Sequence, residues 1–206
     1  MNIVQEESLR DRKKDKRRQL LIEVARREIS LKGLRSLKIR DVASAADCSI
    51  GSVYNEFGDF DGLILTVNRE TVERLDAVLS AVPDVDPVEQ LFGLADGYLG
   101  FFTEHANLLR SLFEHRMEND RPFPEDLLQM VMRTFALMHA PMVRLLPDRD
   151  PVEVALLARM MFSAAHGVIS LGLEERMVAV PPDSLRFQVA QFVETQLVGM
   201  NILPRR

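Results

Sequence analysis

Between Ser49 and Asn55 the chain sets two hydroxyls, a bare glycine, a phenol and an amide around two aliphatic residues, Ile50 and Val53. Ser49, Gly51, Ser52, Tyr54 and Asn55 offer hydrogen-bond donors and acceptors without formal charge. That chemistry suits the edges of base pairs in a DNA major groove, where each pair shows its own donor and acceptor pattern. Lys38 and Arg40, a few residues upstream, are cations suited to phosphate. Catalytic chemistry has no comparable support. The four histidines (His105, His115, His139 and His166) form no metal-site pair at helical spacing, and the single Cys48 is too few for a structural zinc. No Ser-His-Asp set gathers locally, and no Gly-rich phosphate loop occurs. No catalytic residue, metal site or cofactor is expected.

Two short helices must position the polar residues. Ile39, Val42, Ala43 and Ala46 recur at i, i+3, i+4 and i+7, which makes 38–46 a helix with one apolar stripe. Asp47 and Cys48 interrupt it, and Asp is among the residues that tolerate a left-handed turn. Ser49 can cap a second helix through its hydroxyl. In that helix, 49–57, Ile50, Val53 and Phe57 point inward, so the polar residues point elsewhere. Two short helices with a tight turn, the second exposing polar groups near its start, is the helix-turn-helix layout.

The totals allow such a head on a larger body. The chain has 206 residues, 47% of them apolar, and a net charge of −5. An acidic total argues against nucleic acid, but its distribution does not. Residues 1–60 hold 13 Lys and Arg against 10 Asp and Glu, and the remainder holds 13 against 21. All five lysines lie in the first 38 residues. A basic end on an acidic body orients a molecule toward phosphate. One cysteine permits no intrachain disulfide. No signal peptide or membrane-length apolar run is read, so a cytoplasmic protein without a membrane partner is expected.

Gly33, the run Ile39-Arg40-Asp41-Val42-Ala43, the string Ser49-x-Gly51-x-Val53-Tyr54-x-x-Phe57 and Leu63 together resemble the N-terminal domain of the tetracycline-repressor (TetR) family of transcriptional regulators. The resemblance covers about residues 16–68. It implies a dimeric regulator that binds double-stranded operator DNA. Ser49, Ile50, Gly51, Ser52, Tyr54 and Asn55 would enter or flank the groove, and Lys38 and Arg40 would meet phosphates. The chain departs from the family pattern at the turn, Asp47-Cys48 replacing Gly-Val. It departs again at Lys38, where the family often has a capping Thr, and after Phe57, where Gly58-Asp59-Phe60-Asp61 lacks the usual Lys. Two acids at that edge would weaken DNA binding.

The rest of the chain reads as helices with clear boundary signals. Residues 1–12 read as a frayed arm, and Arg10–Arg18 is the densest charge run, either a solvated helix start or a phosphate-contacting arm. Leu20, Leu21, Val24, Ala25 and Ile29 give a helix ending at Gly33. Asp59 can cap a long helix to about Val82. Asp86-Pro87-Val88-Glu89 and Asp150-Pro151-Val152-Glu153 are one device used twice, with Asp as cap, Pro first in the helix and Glu third. Helices are expected at 86–105, 107–117, 124–141, 151–176 and 182–200, about nine in all, in an all-α fold. The domains would be 1–62, the helix-turn-helix head, and 63–206, for ligand binding and dimerisation.

In 151–176, Val154, Leu157, Met161, Ala165, Val168 and Leu171 make one stripe. Leu156, Met160, Ser163, Gly167 and Ser170 make a second, so cover is expected on two sides. Helices 151–176 and 182–200 of two subunits would form a four-helix homodimer interface. Tyr98-Leu99-x-Phe101-Phe102, Leu108-Leu109-Arg110-x-Leu112-Phe113 and Ala165-His166-Gly167 resemble the TetR-type C-terminal domain named after a Trp-His-Gly motif, with Ala165 at the Trp position. Met and Phe linings make adaptable apolar pockets. Phe102, His105, Phe113, Phe135, Met138, Met161 and His166 are the candidates for a pocket that takes a small apolar or amphipathic effector. The reading is a ligand-released repressor. The alternative is a helical small-molecule binding protein that no longer binds DNA, motivated by Asp47, Asp59, Asp61 and the missing Lys at Phe60.

Overall fold

The computed structural model describes residues 2–84, 86–174 and 179–204, with side chains for all of these except 2–11 and 120. The fold is all-α. Among the described residues there are eight α-helices, two short 3-10 turns and no strand. The count differs from nine at one place. The helices expected at 86–105 and 107–117 are one run, Pro87–Glu114, bent at His105, whose φ of −129° and ψ of 32° are non-helical.

The chain forms two compact units. The first comprises Met1–Thr71 and His105–Pro124. Its elements are α1 (Asn2–Lys32), α2 (Ile39–Ala45), α3 (Ile50–Phe57), the first part of α4 (Phe60–Ser80) and the last part of α5 (Pro87–Glu114). The stretch read as a frayed arm is helical backbone from Asn2 onward. Leu21, Val24, Ala25 and Ile29 of α1 bury against Val42, Ala43 and Val53, and Leu63, Ile64, Val67 and Leu108 complete the same core. Leu20, placed in that stripe from sequence, faces solvent, because the steps of four from Leu21 to Ala25 to Ile29 set the buried line. Packing thus carries the first unit past residue 62 and draws in 105–124.

Turn chemistry follows the sequence closely here. Gly33 donates its N–H to the Ile29 carbonyl at 2.8 Å and closes α1. Asp59 Oδ1 accepts the Gly62 N–H at 2.7 Å and caps α4. Only Gly58 and Asp59 separate α3 from α4. Gly58 has φ of 80°, which glycine adopts without a Cβ penalty. At position 62 a Cβ would overlap the Phe57 carbonyl oxygen, so glycine lets the first turn of α4 press directly on the end of α3.

The second unit comprises Val72–Glu104 and Glu125–Arg206. It holds the rest of α4 and α5, with α6 (Glu125–Leu145), α7 (Pro151–Gly172) and α8 (Pro182–Gly199). Both Asp-Pro devices cap as read. Asp86 Oδ1 accepts from the Val88 and Glu89 N–H groups at 2.9 and 3.2 Å, and Asp150 Oδ1 from Val152 and Glu153 at 2.9 and 3.3 Å. Pro141 does not end α6, which runs one further turn to Leu145 with Pro141 buried. Leu91, Met142, Leu146, Val154, Ala158, Met161, Val193 and Leu197 form one core cluster.

Helix α7 ends at Gly172 rather than 176, and residues 175 and 176 lie outside the described ones. Its buried stripe is Val154, Ala158, Met161, Ala165, Ile169 and Gly172. Leu157 and Val168 are half-buried and Leu171 is exposed, because the buried line from Val154 to Gly172 advances by the helical 3.6 residues per step on average, whereas the line read from sequence, Val154 to Leu171, advances by 3.4 and drifts off the core face. Contrary to the sequence reading, α7 is long and apolar enough to cross a membrane by length and composition alone. Its buried stripe packs between α6 and α8, while much of the rest of the helix is exposed.

Candidate nucleic-acid interface

The site begins at Lys38, which stands before the first residue of α2 in extended conformation and makes no side-chain cap bond. Lys38 thus supplies no cap where the family often has Thr, and both Lys38 and Arg40 are exposed. Asp47 sits at φ of 49°, in the left-handed region, and Cys48 donates its N–H to the Ala43 carbonyl at 3.0 Å. Ser49 caps α3. Its Oγ accepts the Ser52 N–H at 3.1 Å and lies 3.0 Å from Ser52 Oγ. The cap fixes both hydroxyls at the start of the helix, where unpaired N–H groups also favour anions.

The faces of α3 divide as its residues require. Val53 is fully buried, with Ile50 and Phe57 partly buried on the same core. Tyr54 is 43% exposed, and Gly51 and Asn55 are exposed beside it. Ser49 is exposed and Ser52 half-buried. Lys38, Arg40, Ser49, Ile50, Gly51, Ser52, Tyr54 and Asn55 are thus gathered on α2, its turn and α3 of the first unit, with Ile50 shared between face and core.

The end of α3 is held from α1. Arg17 Nη2 pairs with Glu56 Oε1 at 3.1 Å, Arg18 Nη1 donates to the Glu56 carbonyl at 3.1 Å, and the Arg18 guanidinium lies 4.6 Å over the Phe57 ring. Part of the basic run 10–18 therefore works inside the head, and Arg12, Lys13, Lys14 and Lys16 are exposed.

The two acids after α3 are both paired with Arg121. Asp61 is buried, 3% exposed, and accepts from Arg121 Nη2 at 2.6 Å and from the Glu118 N–H at 2.9 Å. Asp59 caps α4 and pairs with Arg121 Nη1 at 2.8 Å. The Gly62 N–H, with Arg121 behind it, holds the Asp59 carboxyl below the usual carboxylate range. Sequence reading placed these charges on the DNA side because their partners lie 57 and more positions away. Two of the three acids behind the carrier alternative are thereby accounted for as internal contacts.

His115 Nε2 lies 3.2 Å from Asp61 Oδ1, without hydrogen-bond alignment. Burial lowers its pKa against the opposing pull of Asp61 and Asp59, and burial lowers that of His166 as well. A histidine kept neutral in the fold but free to charge when unfolded favours unfolding as pH drops below its ordinary value, about 6.5. The midpoint of thermal unfolding is expected to be lower at pH 5.5 than at pH 7.5. A rise on acidification would contradict the neutral assignment.

Of the seven pocket candidates, the second unit brings Phe102, Phe135 and His166 into one aromatic group, joined by Tyr98 and Phe162. Tyr98 Oη and His166 Nδ1 are 2.8 Å apart. Phe135 meets Phe162 edge-on at 4.5 Å, Tyr98 meets Phe162 at 5.2 Å, and Phe102 lies 5.5 Å from the His166 ring. Burial raises the Tyr98 pKa and keeps it a neutral donor or acceptor. Met161 is core, clustered with Leu91 and Met142, and Met138 packs against that cluster. His105 and Phe113 belong to the first unit, where Phe113 is 44% exposed. Tyr98 and Phe162 were not among the seven candidates. The signal was available in two same-face pairs at i and i+4, Tyr98 with Phe102 and Phe162 with His166. Among the described residues, no three His, Cys, Asp or Glu side chains converge as a metal site would require.

Comparison with known proteins decides the family. Residues 21–67, from α1 through the first part of α4, match the family model described as bacterial regulatory proteins, tetR family. Residues 91–193, half of the chain, match the model described as tetracyclin repressor-like, C-terminal domain. The chain belongs to the TetR family. It is a transcriptional regulator whose helix-turn-helix head binds DNA. Solved structures share the fold of this TetR-family chain. A tetR-family transcriptional regulator from Streptomyces coelicolor superposes with a TM-score of 0.69 at 21% identity, covering 90% of this chain and 82% of its own. A protein of unknown function from Rhodococcus sp. RHA1 gives 0.70 at 19%, covering 87% and 94%. The TetR-family regulator PfmR from Thermus thermophilus gives 0.62 at 18%, covering 86% and 97%. A search of curated proteins found no match. Regulators of this family are generally DNA-binding proteins without enzymatic activity.

Proposed function

We propose that this TetR-family chain is a homodimeric, sequence-specific repressor released by a small apolar or amphipathic effector in the cytoplasm. Residues 1–62 read the operator, and 63–206 bind the effector and dimerise. Ser49, Ile50, Gly51, Ser52, Tyr54 and Asn55 enter or flank the major groove, and Lys38 and Arg40 meet phosphates. The observation that carries this reading is α3 itself, capped at Ser49, anchored by buried Val53, and turning Gly51, Tyr54 and Asn55 to solvent.

The effector site is built on the Tyr98, Phe102, Phe135, Phe162 and His166 group. Aromatic faces suit an apolar body, and the Tyr98–His166 pair suits one polar end. The homodimer forms through α7 and α8. On α7, Leu156 is 61% and Met160 52% exposed, and Val152 and Leu171, with Phe187 on α8, are exposed as well. A run of large apolar side chains on two adjacent helices favours burial against a second copy. Effector binding shifts α4, which belongs to both units, and changes the spacing of the paired heads. Because operator half-sites lie about 34 Å apart, a small change in spacing prevents both heads from engaging.

Selection from a random duplex pool tests the reading. Enrichment of one two-fold symmetric sequence is expected. A pool that stays unenriched after repeated rounds at about 150 mM salt would contradict it.

A further inference from the structure

Residues 105–124 separate two helices of the second unit, yet they pack in the first. The seam they form there is polar. Asn107 Nδ2 donates to the Ser30 carbonyl at 2.9 Å, and Ser111 Oγ donates to Asn68 Oδ1 at 3.0 Å. His115, one further turn along, lies against Asp61. The buried polar residues among those described are Asp61, Asn68, Thr71 and Ser111, all in this unit. The Asn107–Ser30 bond lies at the surface, but the Ser111–Asn68 bond is buried, and a buried polar contact fixes an arrangement because each partner left alone would be costly.

Arg121 closes the seam. Its two terminal nitrogens reach Asp59 and Asp61 separately, at 2.8 and 2.6 Å. A planar guanidinium bridges two carboxylates with a rigid fork, whereas an ammonium on a flexible stem sets no fixed geometry between them. Those carboxylates sit where α3 hands over to α4, and glycine at 62 leaves no slack between the two helices. With Arg17 and Arg18 of α1 also on Glu56, the C-terminal end of α3 is held at two points.

We propose that Arg121 is a positioning residue for operator recognition. By bridging Asp59 and Asp61 it fixes the α3–α4 junction, and so the angle at which α3 meets DNA. The inference rests on the DNA-binding reading above, and it assigns Arg121 no contact with DNA.

The test uses the full-length R121Q and R121K variants on the selected operator and on scrambled duplex. The Arg121 side chain is half exposed, so neither change opens a cavity. R121Q is expected to weaken operator binding roughly 5- to 150-fold, the usual span of a coupling between sites. Binding to scrambled duplex and the salt slope should stay as in the wild type, and R121K should recover only part of the loss. Amide exchange across 57–62 in the free protein should be faster in R121Q. Equal losses on both duplexes, with a salt slope shallower by about 0.9, would make Arg121 a phosphate contact and overturn the proposal. Unchanged operator affinity or unchanged exchange would overturn it too. Failure of the DNA-binding reading would show in the wild type, as no preference for operator. Failure of this inference alone would show only in the variants.

Discussion

Replacing Tyr54 and Asn55 by alanine is expected to abolish operator preference while leaving the protein folded. Both side chains project from α3 into solvent, and neither belongs to the core that Val53, Ile50 and Phe57 share with α1 and α4. Surface substitutions of this kind change stability by about 0.5 kcal/mol or less. A direct contact to a base edge is worth about 1–3 kcal/mol of discrimination, so each substitution should weaken operator binding roughly 5- to 150-fold. The double variant should bind operator and scrambled duplex alike, with the salt slope kept, because Lys38 and Arg40 remain. Fluorescence anisotropy on both duplexes, with thermal unfolding as the control for folding, checks this. Full operator affinity in the double variant would place the reading surface elsewhere.

The second large effect is on assembly. Leu156→Glu with Met160→Glu puts two carboxylates on the exposed face of α7, one turn apart, without touching its buried stripe. Desolvating those charges against a second copy is prohibitive. The double variant should therefore sediment as a monomer with unchanged helical content. Operator affinity should fall roughly 10²- to 10⁴-fold, the gain that linked heads provide over one head. A variant that remains dimeric would move the interface off this face.

Much of the head was legible because its determinants are local. The Ser49 cap, the left-handed Asp47, the Gly33 stop and the two Asp-Pro caps each rest on contacts within four residues, and each appears as read. Single-face stripes such as Val42 with Ala43, and Val53 on α3, also follow from period alone. Long-range pairing was not legible. Nothing near Asp61 in sequence announces Arg121 or the Glu118 amide, so a buried, fully used carboxylate read as a liability on the DNA side. Helix phase was legible only to within one step, which misplaced Leu20 and Leu171. The helix expected at 124–141 was cut short at Pro141 because sequence shows the missing N–H there but not the burial of the turn that carries α6 on to Leu145.

The candidate effector site was legible in part for the same reason. Phe102, Phe135 and His166 meet, and their neighbours Tyr98 and Phe162 were visible as i and i+4 partners on the same two helices. His105 and Phe113 fall in the other unit because α5 bends at His105 and sends its last turns to the head. The break itself was anticipated, but where the following turns pack depends on the polar seam of Asn107, Ser111 and His115. In retrospect their i, i+4, i+8 spacing marks a helix face that must find polar partners.

The central claim is that a pair of these heads reads one DNA sequence. The most direct measurement is titration of duplex from around the protein's own coding region at about 150 mM salt, with scrambled duplex as competitor. Tight binding to one near-palindromic stretch, saturating at two subunits per site, is expected. Weak binding, equal on both duplexes, would contradict it.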